Sequence, residues 1–432
     1  MAAMLALVER FLLERRPGRI LSMLARVRVP IIGTDRFALR KPELDIASTS
    51  PLVCDQVREV APGILDGDVA IKDQIDVAGM RTGVGLLDGG HMAERDATIV
   101  ARIAAAGGRI IGKAKMTELG IDGIGTLMHY PMPKNPRAPA YVPGGSSTGS
   151  AVAVASGLAR YAVGGDGLGS IRIPAAFCGL VGLKPTRDRI PRDGIHSPVR
   201  TLDAVGPIAH TVEDCARLWH VMTGEPTTPV VPRSPEIVGV PLGGSLRVST
   251  TIWRAFRRVL DALGSRVEHV TLPHFENVTF LGGMTGAYEL ANGKFCDRVA
   301  TPSGRMSRAL GSSFSARDFE RLVQHRGELA TATDRVLATM PILAMPTTAI
   351  PPPAISRALL ANTTEIFMLR ALGAFTPLAN LCDLPAIAVP CGVDDRGRPL
   401  SVMFVTAKNR EDDLLQIARA VEDTGLGRML IA

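Results

Sequence analysis

The chain has 432 residues, 46% hydrophobic, 21% charged and only 4% aromatic, so it can bury a large core but offers no broad aromatic stacking surface. Its net charge of +7 is spread over dispersed arginines with no long basic block, which argues against a nucleic-acid partner. No secretory signal is read, and the first apolar run is too short for a membrane span, so no membrane partner is expected.

The opening stretch "MAAMLALVERFLLERRPGRILSMLARVRV" is amphipathic and Arg-rich, the pattern of a transit peptide, but Glu9 and Glu14 argue against that. It is predicted to form helices packing on the body. "DATIVARIAAAGGRIIGKAKM" reads as a helix, a glycine stop and a buried strand. Its apolar face is predicted to comprise Ala97, Val100, Ala101, Ala104 and Ala105. "SAVAVASGLAR" is a second helix of very small residues, with Ser147 and Ser150 predicted to hydrogen-bond at its N-terminus. "YAVGGD" is a strand running into a glycine loop, Pro174 opens the next helix, and "LVGLKPT" is another strand. This alternation over residues 66–220 indicates an α/β sheet covered by helices.

Residues 222–300 are less periodic, with one predicted helix from about Thr251 to Leu263. "ARDFERLVQHRGELATATDRVLATM" is a long helix, and "PILAMPTTAIPPP" a strand with a Pro-rich loop. "LPAIAVPCG" and "RPLSVMFV" read as two strands joined by a turn, and "REDDLLQIARAVED" as a closing helix. No internal repeat and no long linker divides the chain.

Six cysteines occur without a C-x-x-C pair. They are predicted to be free thiols in a reducing, cytoplasmic compartment, with no metal site. Two nucleotide-binding patterns fail. "GGSSTGS" has Ser150 where a phosphate loop needs lysine, and "GDGLG" is one residue short of the dinucleotide fingerprint.

What remains is a glycine and serine constellation with one unusual lysine. In "GGDGLGSIRIP", Ser170 is either a turn residue or a nucleophile. In "DVAIKDQIDVAG", Lys72 ends an apolar stretch and either snorkels to the surface or is buried. A neutral lysine can serve a serine nucleophile as base. Bringing its pKa from about 10.4 to about 8 takes roughly 3 kcal/mol of destabilisation of the ammonium, which burial can supply.

"VPGGSSTGSAVAVASGLARYAVGGDGLGSIRIPAAFCGLVGLKPT" resembles the signature segment of the amidase signature family. "AIKDQIDVAG", "ERDATIVARIAAAGGRIIGKAKMTELG", "TLDAVGPIAHTVEDCARL" and "NLCDLPAIAVPCG" are similar to further family landmarks. The resemblance covers roughly residues 60–220 and 340–425. It implies a large mixed, twisted sheet covered by helices on both faces, in one domain over 1–432 with a variable substrate-side segment at about 222–340. It also implies a Ser–cisSer–Lys triad, with Ser170 as nucleophile, Ser146 as bridge after a cis Gly145–Ser146 peptide, and Lys72 as base. An oxyanion hole would be formed by backbone N–H groups of Gly167, Leu168, Gly169 and Ser170.

The implied activity is hydrolysis of a small carboxamide or related C–N bond through an acyl-enzyme, with no cofactor and no metal. Met116, His129, Tyr130 and Arg172 are candidate substrate contacts. A packed loop is the competing reading for His129 and Tyr130, and an ion pair with Asp166 for Arg172. The partner expected is a small-molecule amide, and a homodimer is left open. Leu168 departs from a position that is mostly glycine, where a Cβ would block a positive φ or narrow the pocket. Lys115 and Ser401–Met403 also depart from the family pattern. Two alternatives accompany the amidase reading: a non-hydrolytic homologue serving as a structural partner, and the ammonia-supplying component of a tRNA-dependent amidotransferase.

Overall fold

The computed structural model describes residues 49–427 except 127, 242, 244–246 and 361–365, so the helices predicted for the opening stretch lie outside the described residues. Thirteen strands occur among the described residues: β1 (Leu52–Cys54), β2 (Asp68–Lys72), β3 (Arg81–Thr82), β4 (His91–Met92), β5 (Arg109–Ala114), β6 (Tyr161–Asp166), β7 (Val181–Lys184), β8 (Ala204–Ala209), β9 (Ile237–Pro241), β10 (Arg266–Val270), β11 (Ile342–Pro346), β12 (Ala386–Val393) and β13 (Pro399–Thr406). Eleven of them form one sheet in the order β1-β5-β2-β6-β8-β7-β12-β13-β11-β9-β10, while β3 and β4 pair separately. The sheet is mixed: β5, β2 and β6 run parallel, β6 through β11 alternate antiparallel, and β11, β9 and β10 are parallel again.

Side-chain alternation along β2 sets the two layers. Val69 and Ile71 enter a core with Trp219, Val259 and Phe404, while Ala70 enters another with Ala151, Val154 and Ile208. The helices are α1 (Thr98–Ala105), α2 (Thr148–Ala155), α3 (Arg172–Cys178), α4 (Val212–Thr223), α5 (Thr250–Leu263), α6 (Val278–Asn292), α7 (Pro302–Ser312) and α8 (Ala316–Thr339), then α9 (Arg357–Leu360), α10 (Ile366–Leu372), α11 (Pro377–Leu381) and α12 (Glu411–Asp423). Helices α1, α4, α5 and α12 cover the first layer, and α2 and α3 the second. No helix among the described residues is long and apolar enough to cross a membrane.

Three local expectations are corrected. The buried face of α1 is formed by Ile99, Val100 and Ile103, while Ala101 and Ala105 are exposed. The bulkier aliphatics bury more area than alanines and turn the helix toward themselves. Ser147 and Ser150 do not cap α2. Their hydroxyls donate across to the carbonyls of Gly165 and Val163 on β6 at 3.1 and 3.0 Å, fastening helix to strand. The weakly periodic residues 222–300 contain β9, β10 and α6 in addition to the predicted α5, and α7 follows directly after them. All six cysteines are free, and burial pushes the Cys382 and Cys391 thiols up to about 12.

Candidate active site

Lys72 is the last residue of β2 and shares the face of Ala70, toward α2. All eight residues of α2 are small or β-branched and buried, so the helix lies close against the sheet. The lysine therefore reaches the turn just before it. Lys72 Nζ donates to Ser146 Oγ at 2.9 Å and to the Gly165 carbonyl at 2.9 Å, and the side chain is 1% exposed. Burial brings its pKa down to about 8, against the opposing pull of Asp203 and Asp166.

The Gly145–Ser146 peptide is cis, in agreement with the resemblance. Ser146 is buried and Ser170 is 7% exposed. The next residue ties the two serines together, the Ser147 N–H donating to the Ser170 carbonyl at 3.2 Å. Among the described residues Lys72 is hydrogen-bonded to Ser146, and no hydrogen bond joins the Ser146 and Ser170 hydroxyls directly.

Asp166 ends β6 and organises the loop that carries Ser170. Its carboxylate accepts from the Gly169 N–H at 2.6 Å, the Ile171 N–H at 3.1 Å, Asn380 Nδ2 at 3.0 Å, and Arg172 Nε and Nη2 at 2.9 Å each. Burial alone would raise its pKa, but the Arg172 guanidinium holds it well below the usual carboxylate range. Two expectations are corrected here. Arg172 does not face a substrate, because it is fully buried and its donors are spent on Asp166, the Thr376 carbonyl and Asn380 Oδ1. Gly169 does not offer an oxyanion donor, because its N–H is committed to Asp166. The N–H groups of Gly167, Leu168 and Ser170 meet no acceptor among the described residues.

Leu168 does not obstruct the loop backbone. The positive φ falls on Gly169, at 128°, and not on Leu168. The Leu168 carbonyl accepts from Thr376 Oγ1 at 2.7 Å, and its side chain is pressed onto α6, where a Cβ at Gly282 would lie 2.5 Å from Leu168 Cδ2. Gly282 thus makes room for the bulk that Leu168 adds.

Met116 is buried beside the lysine–serine pair: a Cβ on Gly120 would fall 3.1 Å from Ser146 Oγ and 3.8 Å from Met116 Cε. His129 Nε2 lies 2.9 Å from Glu118 Oε1, and the same carboxylate accepts from the Ala300 and Thr301 N–H groups. His129 is therefore part of a packed loop. Tyr130 is half-buried, and burial together with the charges of Asp73 and Asp88 pushes its phenol upward.

Sequence reasoning missed Asp203 and Asn380. Asp203 accepts from Gln74 Nε2 at 3.1 Å, and burial raises its pKa while the Lys72 charge opposes the rise. Asn380 donates to both the carbonyl and the carboxylate of Asp166. Both lie within the family-like stretches "TLDAVGPIAHT" and "NLCDLPAIAVPCG", where a polar residue set among apolar ones was the available signal. A separate cavity of about 570 Å3, lined by Ser50, Lys134 and Val152 among others, includes none of Lys72, Ser146 and Ser170.

The family described as Amidase matches residues 57–415. The chain is 30% identical over 446 residues to a fatty acid amide hydrolase of Oryza sativa subsp. indica, covering 91% of this chain and 72% of that one. It is also 30% identical over 419 residues to a component of the glutamyl-tRNA(Gln) amidotransferase of Syntrophus aciditrophicus (strain SB), covering 85% of each. The solved structure of 6-aminohexanoate cyclic dimer hydrolase aligns with a TM-score of 0.73 at 27% identity, over 83% of this chain and 84% of that one. Motif order, mixed sheet and similarity over most of the chain agree: the chain belongs to the amidase signature family.

Proposed function

We propose that the protein hydrolyses a small carboxamide or related C–N bond, with Ser170 as nucleophile, Ser146 as proton bridge and Lys72 as base. The observation that carries this reading is the buried Lys72 ammonium, 2.9 Å from Ser146 Oγ with its pKa brought down to about 8. A lysine so destabilised gives up its proton near neutrality and can then take one from Ser146. Ser146 in turn takes the Ser170 proton as Ser170 Oγ attacks the carbonyl carbon. The carbonyl π electrons move onto oxygen, where the N–H groups of Gly167, Leu168 and Ser170 stabilise the charge. Collapse expels the amine, which receives the proton held at Lys72 by way of Ser146, and leaves an acyl-Ser170 ester. Water then repeats the sequence and frees the acid.

Among the relatives, fatty acid amide hydrolase and 6-aminohexanoate cyclic dimer hydrolase are named for amide substrates. Leu168 wedged on α6 supports a restricted acyl site, because its bulk fills space at the end of the nucleophile loop. Replacing Leu168 with glycine is expected to raise kcat/KM for bulky amides relative to short ones while Ser170 stays reactive. Loss of one oxyanion donor would instead cost roughly 10²–10³ in kcat. The comparison is kcat/KM for acetamide-sized and long-chain amides in both proteins. A wild type inert to all of them, with activity gained only on Leu168→Gly, would favour the non-hydrolytic homologue. Release of ammonia from glutamine only with an added partner would favour the amidotransferase component.

A further inference from the structure

Two clusters away from the serines combine imidazoles with a carboxylate. In one, His91 Nε2 and His196 Nε2 lie 3.1 and 2.9 Å from the two oxygens of Asp76. There Lys294 Nζ stands 3.2 Å from His196 Nδ1. An ammonium has only donors, so that nitrogen must accept, and the ring proton is left on Nε2, facing Asp76. The trio is a satisfied hydrogen-bond network.

The second cluster has a different character. His325 and Glu328 stand at i and i+3 on α8, on one face of the helix. His274 comes from the loop between β10 and α6, with a left-handed φ of 59° that few non-glycine residues adopt. That backbone turn brings His274 Nε2 to 2.7 Å from Glu328 Oε2, while His325 Nδ1 lies 3.4 Å from the same oxygen. The rings stand 4.4 Å apart between centroids, and the three donor atoms lie within 4.8 Å of one another. We infer that His274, His325 and Glu328 form a site for a divalent transition-metal ion of the zinc or nickel class.

Zinc takes imidazole nitrogen and carboxylate oxygen at about 2.0–2.2 Å. Four tetrahedral ligands at that radius stand roughly 3.3–3.6 Å apart, and the two nitrogens lie 2.7 and 3.4 Å from Glu328 Oε2. Gln324 Nε2 donates to Glu328 Oε1 at 2.9 Å, which orients the carboxylate and leaves Oε2 for the ion. All three side chains are partly exposed, which gives an entry path and a fourth position for water. The ion would join α8 to the turn that begins α6, the helix on which Leu168 rests. It would therefore act as a clamp behind the nucleophile loop. This departs from the metal-free expectation drawn from the sequence.

The test uses the full chain stripped with a chelator, titrated with zinc chloride by calorimetry, with melting temperature as second readout. One equivalent is expected to bind and to raise the melting temperature. His325→Ala and Glu328→Gln, both at exposed helix positions, should weaken binding at least about tenfold, while His91→Ala leaves it unchanged. Absence of stoichiometric binding, unchanged affinity in the His325 and Glu328 variants, or loss in His91→Ala would each overturn the inference.

Discussion

Lys72→Ala is expected to lower kcat/KM for amide hydrolysis by about 10⁴-fold, the scale of losing the proton-transfer partner of a serine nucleophile. The wild-type pH profile carries the same information. The base must be neutral to act, and burial brings the Lys72 pKa down to about 8 against the pull of Asp203 and Asp166. Below that value the ammonium dominates, so wild-type kcat/KM should fall about tenfold per pH unit on acidification and level off above it. In Lys72→Ala the acid limb should vanish along with most of the rate. Lys184 is the necessary control, because burial and the nearby Arg172 bring it also to about 8. Its Nζ donates to the Pro185 carbonyl and reaches neither serine, so Lys184→Gln should keep the acid limb at the same position. A limb that moves with Lys184 and not with Lys72 contradicts the assignment of the base.

Asp166→Ala is expected to be the most destabilising single substitution at the site, by about 3–5 kcal/mol, because it leaves the Arg172 guanidinium buried and unpaired. Both members of the pair are fully buried. The carboxylate also holds the Gly169 and Ile171 N–H groups, so its loss frees the backbone on either side of Ser170. Stability and activity should therefore fall together. Arg172→Ala strips the partner and should cost a similar amount, while the double variant costs less than the sum of the two singles. Thermal and urea unfolding of the four proteins measure this. Additive losses would show that the pair is not coupled.

The site was more legible than its surroundings for a physical reason. Lys72, Ser146 and Ser170 sit at the ends of regular elements with strong local signals: an apolar strand for the lysine, glycine turns for the serines. What these residues do with their neighbours was harder to read. Ser147 and Ser150 have the chemistry of helix caps, but β6 lies close enough to take both hydroxyls. For Arg172 the ion pair with Asp166 is the favoured reading over a substrate contact, and its full burial agrees with the ion pair. Asn380 is more than two hundred residues from Asp166, so no local pattern could couple them. Within the segment 222–340, α5 and α8 are readable in the sequence, while the other elements are hidden for other reasons. Helix α6, "VTFLGGMTGAYELAN", has glycines where it packs closely, including Gly282 under Leu168, so its apolar periodicity is weak. Strand β10 lies at the sheet edge with Arg266–His269 exposed, so it shows no alternation.

The central claim is that Ser170 is an activated nucleophile served by Lys72. A fluorophosphonate probe tests it directly, because only an activated serine displaces its fluoride. After incubation of the full chain with the probe, intact mass should show a single adduct, and peptide mapping should place it on Ser170. The rate of labelling should rise with pH up to about 8 in step with deprotonation of Lys72. Ser170→Ala should take no label. An unlabelled wild type, or an adduct mapped to another serine, would contradict the account.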